Sequence, residues 1–133
     1  MTAFLDTNVI LRFLTADRSP KYRNLYDLFK AIEEGQQKVE LKLIVLFQVL
    51  FVLKSYYNVP KPLICENISA LLAFKGLRIS EKRIVIRMIE LWRSKNTDIV
   101  DCYLIACLEF KPDDSLYSYD KGFDRYGVTR LEP

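Results

Sequence analysis

The sequence predicts an α/β fold, a sandwich of helices on a parallel sheet. Three observations carry that prediction. A short β-like run opens the chain, several amphipathic helical stretches follow, and strand-like runs come again at the end. Two of the strand-like runs finish on an aspartate, Asp6 and Asp120. No repeat, low-complexity tract or linker divides the 133 residues, so one domain spanning residues 1–133 is expected.

Taken in order, Thr2 to Leu5 reads as a strand that stops at Asp6, and Asp6-Thr7 has the chemistry to cap a following helix. Ser19-Pro20 opens a second helix, with Leu25, Leu28, Phe29 and Ile32 at helical spacing and Gly35 as its stop. Lys38 to Ile44 alternates like a strand. Val45 to Tyr57 is long enough to be a helix buried on most sides, ending before Asn58 and the Pro60-Lys-Pro62 break. Pro62–Phe74, Ser80–Ser94 and Asp98–Phe110 read as three more helices. Ser115–Tyr119 and Val128–Leu131 read as strands.

Composition narrows the chemistry. Half of the residues are hydrophobic and 28% are charged, which is ordinary for a folded protein. A net charge of +3 permits a polyanionic partner without requiring one. Cys65, Cys102 and Cys107 form no CxxC pair and leave an odd count, which points to a reducing cytoplasm. The opening MTAFLDTNVILRFL is not read as a signal peptide, and LIVLFQVLFVL, the longest apolar run, is too short to cross a bilayer. The chain contains no histidine, which removes Ser-His and Cys-His catalysis and histidine-ligated zinc. With no phosphate-cradling glycine motif either, carboxylates and a metal are the tools left to an enzyme.

The carboxylates form a pattern. In parallel α/β sheets sites lie beyond the carboxyl ends of the strands, where Asp6 and Asp120 fall. Asp98 and Asp101 stand three apart at the first turn of a helix. Each has a bland alternative: a cap for Asp6, a turn for Asp120, helix-dipole compensation for Asp98 and Asp101. Converging on one sheet edge, they would repel one another unless a cation neutralised them. Magnesium or manganese suits an all-oxygen site and serves phosphodiester chemistry.

Asp6 in FLDTNVIL, Asp101 in DIVDCYLIA and Asp120 in YSYDKGFDRYGVTRLEP resemble the motifs of the PIN domain, especially the VapC-type toxins of prokaryotic toxin–antitoxin pairs. The resemblance runs nearly end to end. It implies a three-layer α/β/α sandwich with a central parallel sheet, a magnesium- or manganese-dependent endoribonuclease acting on RNA, a homodimer, and inhibition by a small antitoxin. By position it makes Asp6, Asp101 and Asp120 the metal-site acids and Asp98 an accessory acid. Asn8 and Ser118 match small polar positions beside the site, where threonine is more usual than Ser118.

Where the family usually reads like VLAEVVYVL, this chain has VLFQVLFVL, and the glutamate position is Gln48. An amide is neutral and cannot act as a general base, although its oxygen can still bind a metal or a metal-bound water. The alternative for Gln48 is a buried amide satisfied by neighbouring backbone. Gln48 therefore opens a second expectation, a catalytically impaired PIN fold that binds RNA or protein. A structure-specific DNA nuclease of the related flap-endonuclease type is a third, for which the chain is short. Arg12, on the helix after Asp6, is the foremost of several basic residues expected to contact phosphate.

Overall fold

Three two-residue parallel strands organise the first of two compact units, Met1–Ser80 and Glu81–Pro133, in a computed structural model that describes residues 2–133. They are β1 (Ala3–Phe4), β2 (Val39–Glu40) and β3 (Leu77–Arg78), in the order β1-β2-β3, with Ala3, Val39 and Leu77 in register. Parallel neighbours need crossover connections. Helices α1 (Thr7–Leu14) and α2 (Arg23–Glu34) make the first, and α3 (Leu43–Ser55) and α4 (Lys61–Leu72) the second. The ladder continues past the strands, since Leu5 N–H donates to the Glu40 carbonyl and Leu41 N–H to that of Arg78.

Local chemistry sets the helix ends. Pro20 starts a 3-10 turn, Pro20–Tyr22, that leads into α2 rather than opening it directly. Gly35 closes α2 with φ 84°, in the left-handed region that glycine adopts without strain. The strand expected over Lys38–Ile44 pairs only at Val39–Glu40, and Leu43 and Ile44 already belong to α3. Strand β3 was not expected at all. It is two residues long and exists by pairing with β2, a contact that alternation within one segment cannot reveal.

Helix α3 departs from the expectation of burial on most sides. Leu46, Val49, Leu50 and Leu53 are buried at i, i+3, i+4 and i+7, but Ile44 is 80% and Phe51 68% exposed. A helix apolar all round does not announce which stripe faces the core.

The second unit pairs α5 (Lys82–Ser94) with α6 (Ile99–Phe110) beside parallel strands β4 (Leu116–Tyr117) and β5 (Arg130–Leu131). Val85, Met88, Ile89, Leu91 and Trp92 are buried from α5, and Cys102, Ile105 and Ala106 from α6. Both strands are shorter than the expected Ser115–Tyr119 and Val128–Leu131. A 3-10 helix, Lys121–Tyr126, joins them. Parallel strands flanked by helices are the α/β architecture that the sequence predicts. Among the described residues no helix is long and apolar enough to cross a membrane.

Candidate active site

Asp98, Asp101 and Asp120 line one cleft of about 190 Å³ in the second unit. Asp98 caps α6 from outside the helix, its Oδ1 accepting from Val100 N–H at 2.9 Å. Asp120 plays the same part for the 3-10 helix: its Oδ1 accepts from Gly122 N–H at 2.8 Å, while its own N–H donates to Ser118 Oγ at 3.0 Å. A Cβ at position 122 would meet Asp120 Oδ1 at 2.9 Å, so glycine there leaves room for this carboxylate. Phe123, buried, anchors the short helix that carries the cap.

Asp101 is different. It lies in the first turn of α6, half-buried, and accepts no hydrogen bond from the described residues. Burial pushes its carboxyl above the usual range, and the Asp98 and Asp120 carboxylates push it further in the same direction. Among the described residues, no three or more acidic, histidine or cysteine side chains come together closely enough to hold a metal as they stand.

An ion-pair cluster unforeseen in the sequence braces this cleft. Arg130, on β5, grips Asp124 through Nε to Oδ1 (2.8 Å) and Nη2 to Oδ2 (3.2 Å), and also donates to Glu132 and to the Ser118 carbonyl. The guanidinium holds the Asp124 carboxyl below its usual range. The clamp ties the 3-10 helix to both strands and fixes the backbone two residues before Asp120.

In the first unit, Asp6 follows β1 and caps α1, its Oδ2 accepting from Asn8 N–H at 3.3 Å. Gln48 is not a buried amide satisfied by backbone. It is exposed, and its Oε1 accepts from Thr7 Oγ1 at 2.7 Å, the hydroxyl next in the chain to Asp6. Asn8 is also exposed, in the first turn of the same helix. Arg12 is paired with Asp17 at 3.0 Å and lies 5.0 Å over the Tyr22 ring. Glu40, the last residue of β2, pairs with Lys42 two positions on, at 3.1 Å.

The family model of the PIN domain matches residues 3–128, a span that covers most of both units. The chain belongs to the PIN-domain family. PIN domains are generally nucleases that act on RNA with divalent metal ions. No curated protein matches the chain. Asp6, Asn8, Gln48, Asp98, Asp101, Ser118 and Asp120 all fall inside the matched span. The donor chemistry of this PIN domain fits a hard divalent cation, because the cleft in the second unit offers carboxylate oxygens and no nitrogen or sulfur ligand. Asp101, desolvated, repelled and without a hydrogen-bond donor among the described residues, is the group such a cation would relieve.

Proposed function

We propose that this PIN domain is a metal-dependent endoribonuclease that hydrolyses RNA phosphodiesters with magnesium or manganese. We read it as the toxin of a VapC-type toxin–antitoxin pair, working in the cytoplasm as a homodimer under the control of a small antitoxin, with residues 1–133 acting as one domain. The observation that carries the catalytic part is Asp101: a half-buried carboxylate with no hydrogen-bond donor among the described residues, raised in pKa by burial and by two neighbouring acids. Such a group is costly to keep ionised and gains most from a cation. The end-to-end motif resemblance supports the toxin assignment. The exposed Ile44 and Phe51 on α3 support a partner protein, since large apolar side chains sharing one exposed helix face favour association.

In this proposal Asp6, Asp101 and Asp120 are the metal-holding acids, and Asp98, Asn8 and Ser118 support them. When bound, the ion supplies Lewis-acid polarisation of the scissile phosphodiester and a nucleophile at neutral pH. The chain's own groups do the positioning. The caps at Asp6, Asp98 and Asp120 each fix one carboxylate oxygen on a backbone amide and so orient the other. Gln48 stands at the family's glutamate position and is held there by Thr7.

That amide favours a second reading, a PIN fold whose cleavage is impaired and which binds RNA or protein. Cleavage assays on a panel of RNAs with magnesium and with manganese separate the two. The ribonuclease reading expects metal-dependent cleavage by the wild type that is lost in Asp101→Asn and in Asp6→Asn. Wild-type protein that cuts none of these RNAs with either metal overturns it.

A further inference from the structure

A second concavity of about 280 Å³ lies against the acidic cleft in the same unit, lined by Lys95, Asn96, Arg125 and Tyr126. Asn96, Arg125 and Tyr126 also line the acidic cleft. The two are therefore one groove, with carboxylates at one end and cations and an aromatic ring at the other. The basic end is built rather than incidental. Tyr126 is half-buried and its hydroxyl is bonded to Thr97 Oγ1 at 2.7 Å, which fixes the ring. The Arg125 guanidinium lies 5.4 Å over that ring. The adjacent acid, Asp124, is taken by Arg130, and Arg125 has no carboxylate partner among the described residues. Arg12, by contrast, lies over Tyr22 but is neutralised by Asp17. Asn96 is exposed, and among the described residues its amide has no hydrogen-bond partner.

The geometry points to a nucleotide subsite for single-stranded RNA at Lys95, Asn96, Arg125 and Tyr126, next to the acidic cleft. An unpaired base stacks on the guanidinium–tyrosine platform, a surface that accepts any base and excludes a paired one. Arg125 and Lys95 take the flanking phosphates, which the carboxylates at the other end would repel. Asn96 offers both a donor and an acceptor to a base edge, the polar contact able to prefer one base over another. The choice of RNA rests on the ribonuclease reading above; the juxtaposition of platform, cations and acids does not.

Binding without metal tests the subsite apart from catalysis. A short fluorescein-labelled oligouridylate is titrated with the full chain in EDTA, and anisotropy is followed over a range of salt. Arg125→Ala is expected to weaken binding about tenfold and to make the log–log salt slope shallower by about 0.7, the share of one phosphate contact on a single strand. Tyr126→Leu is expected to weaken it about fivefold or more at every salt concentration, with the slope unchanged. Tyr126→Phe keeps the ring and is expected to bind within about twofold of wild type. Should Tyr126→Leu unfold, the Arg125→Ala result decides. Wild-type protein that does not bind the probe, or an Arg125→Ala variant with unchanged affinity and slope, overturns the subsite. In cleavage assays the Arg125→Ala loss should fall on KM with kcat held. If the variants lose binding in EDTA while no protein cuts RNA, the subsite stands and the nuclease reading falls. If the wild type cuts and Arg125→Ala changes neither KM nor binding, the subsite alone falls.

Discussion

Gln48→Glu exchanges an amide for a carboxylate of nearly the same shape at an exposed position of α3. The structure sets two separate magnitudes. For stability, the relevant contact is Thr7 Oγ1 donating to Gln48 Oε1 at 2.7 Å. A glutamate keeps the acceptor and makes the bond charge-assisted, but water and salt screen an exposed pair. The net change in unfolding free energy should stay within about 0.5 kcal/mol. For function, the new charge should tighten metal binding. Groups that orient or supplement metal ligands are typically worth about 10–100-fold in metal affinity, so the magnesium midpoint for RNA cleavage should fall by at least about tenfold. The assay is a magnesium titration of initial cleavage rate for both proteins, with thermal unfolding in EDTA beside it. Thr7→Val is the control, since it removes the donor and leaves the charge alone. Identical midpoints and rates in wild type and Gln48→Glu would refute a role for position 48 in metal binding. A large loss of stability in Gln48→Glu would instead refute the Thr7 contact as an acceptor site that tolerates charge.

Two further outcomes follow from the same geometry. Asp101 has a folded pKa above its unfolded value, so its contribution to stability is complete below the ordinary carboxylate range. It is lost as pH rises through the raised value. In EDTA, Asp101→Asn should therefore melt higher than wild type near neutral pH, with the difference closing in acid; equal melting temperatures throughout would mean that Asp101 is not strained. Gly76→Ala should lower the urea midpoint by the equivalent of about 1–3 kcal/mol, because a Cβ there would lie 2.0 Å from the Gln37 carbonyl oxygen and 2.8 Å from that of Ile32. Both neighbours are backbone and cannot step aside as a flexible side chain would. A wild-type midpoint would show that this turn is looser than drawn.

The helices were legible because their signals are local. Gly35 stops α2 in the left-handed region, the cap at Asp6 sits where the sequence puts it, and α6 starts one residue after the expected Asp98, which caps it. The strands were legible only as regions. With two residues each, they carry no alternation of their own, and β3 depends wholly on pairing with β2, thirty-eight positions earlier. The same separation explains what the sequence hid about the site. The Thr7–Gln48 bond spans 41 positions, and the Arg130 clamp on Asp124 crosses a glycine turn where no periodicity applies. The exposed side of α3 was hidden for the opposite reason, too much signal. When nearly every residue is apolar, hydropathy cannot mark the solvent-facing stripe, and within LIVLFQVLFVL only Gln48 did.

Local structural roles (a cap for Asp6, a turn for Asp120, dipole compensation for Asp98) and metal binding were rival explanations for these aspartates as long as only the sequence was considered. Their geometry makes them compatible. Asp6, Asp98 and Asp120 each commit one oxygen to a backbone amide, and a carboxylate has a second oxygen with lone pairs to spare. A cap pins the side chain at the start of a helix, where orientation would otherwise cost entropy at the moment of binding. Capping therefore accounts for the positions of three acids but not for the crowding of Asp98 and Asp120 with Asp101 in one cleft, and it does not account for Asp101 at all. Asp101 caps nothing, gains no donor among the described residues, and has its pKa raised by burial and then by the acids beside it. Asparagine caps about as well as aspartate. Replacing any of the three caps by asparagine thus removes charge while keeping the helix start, whereas alanine removes both. Loss of cleavage in an asparagine variant that melts like wild type speaks to the charge, and so to the cation, rather than to the fold.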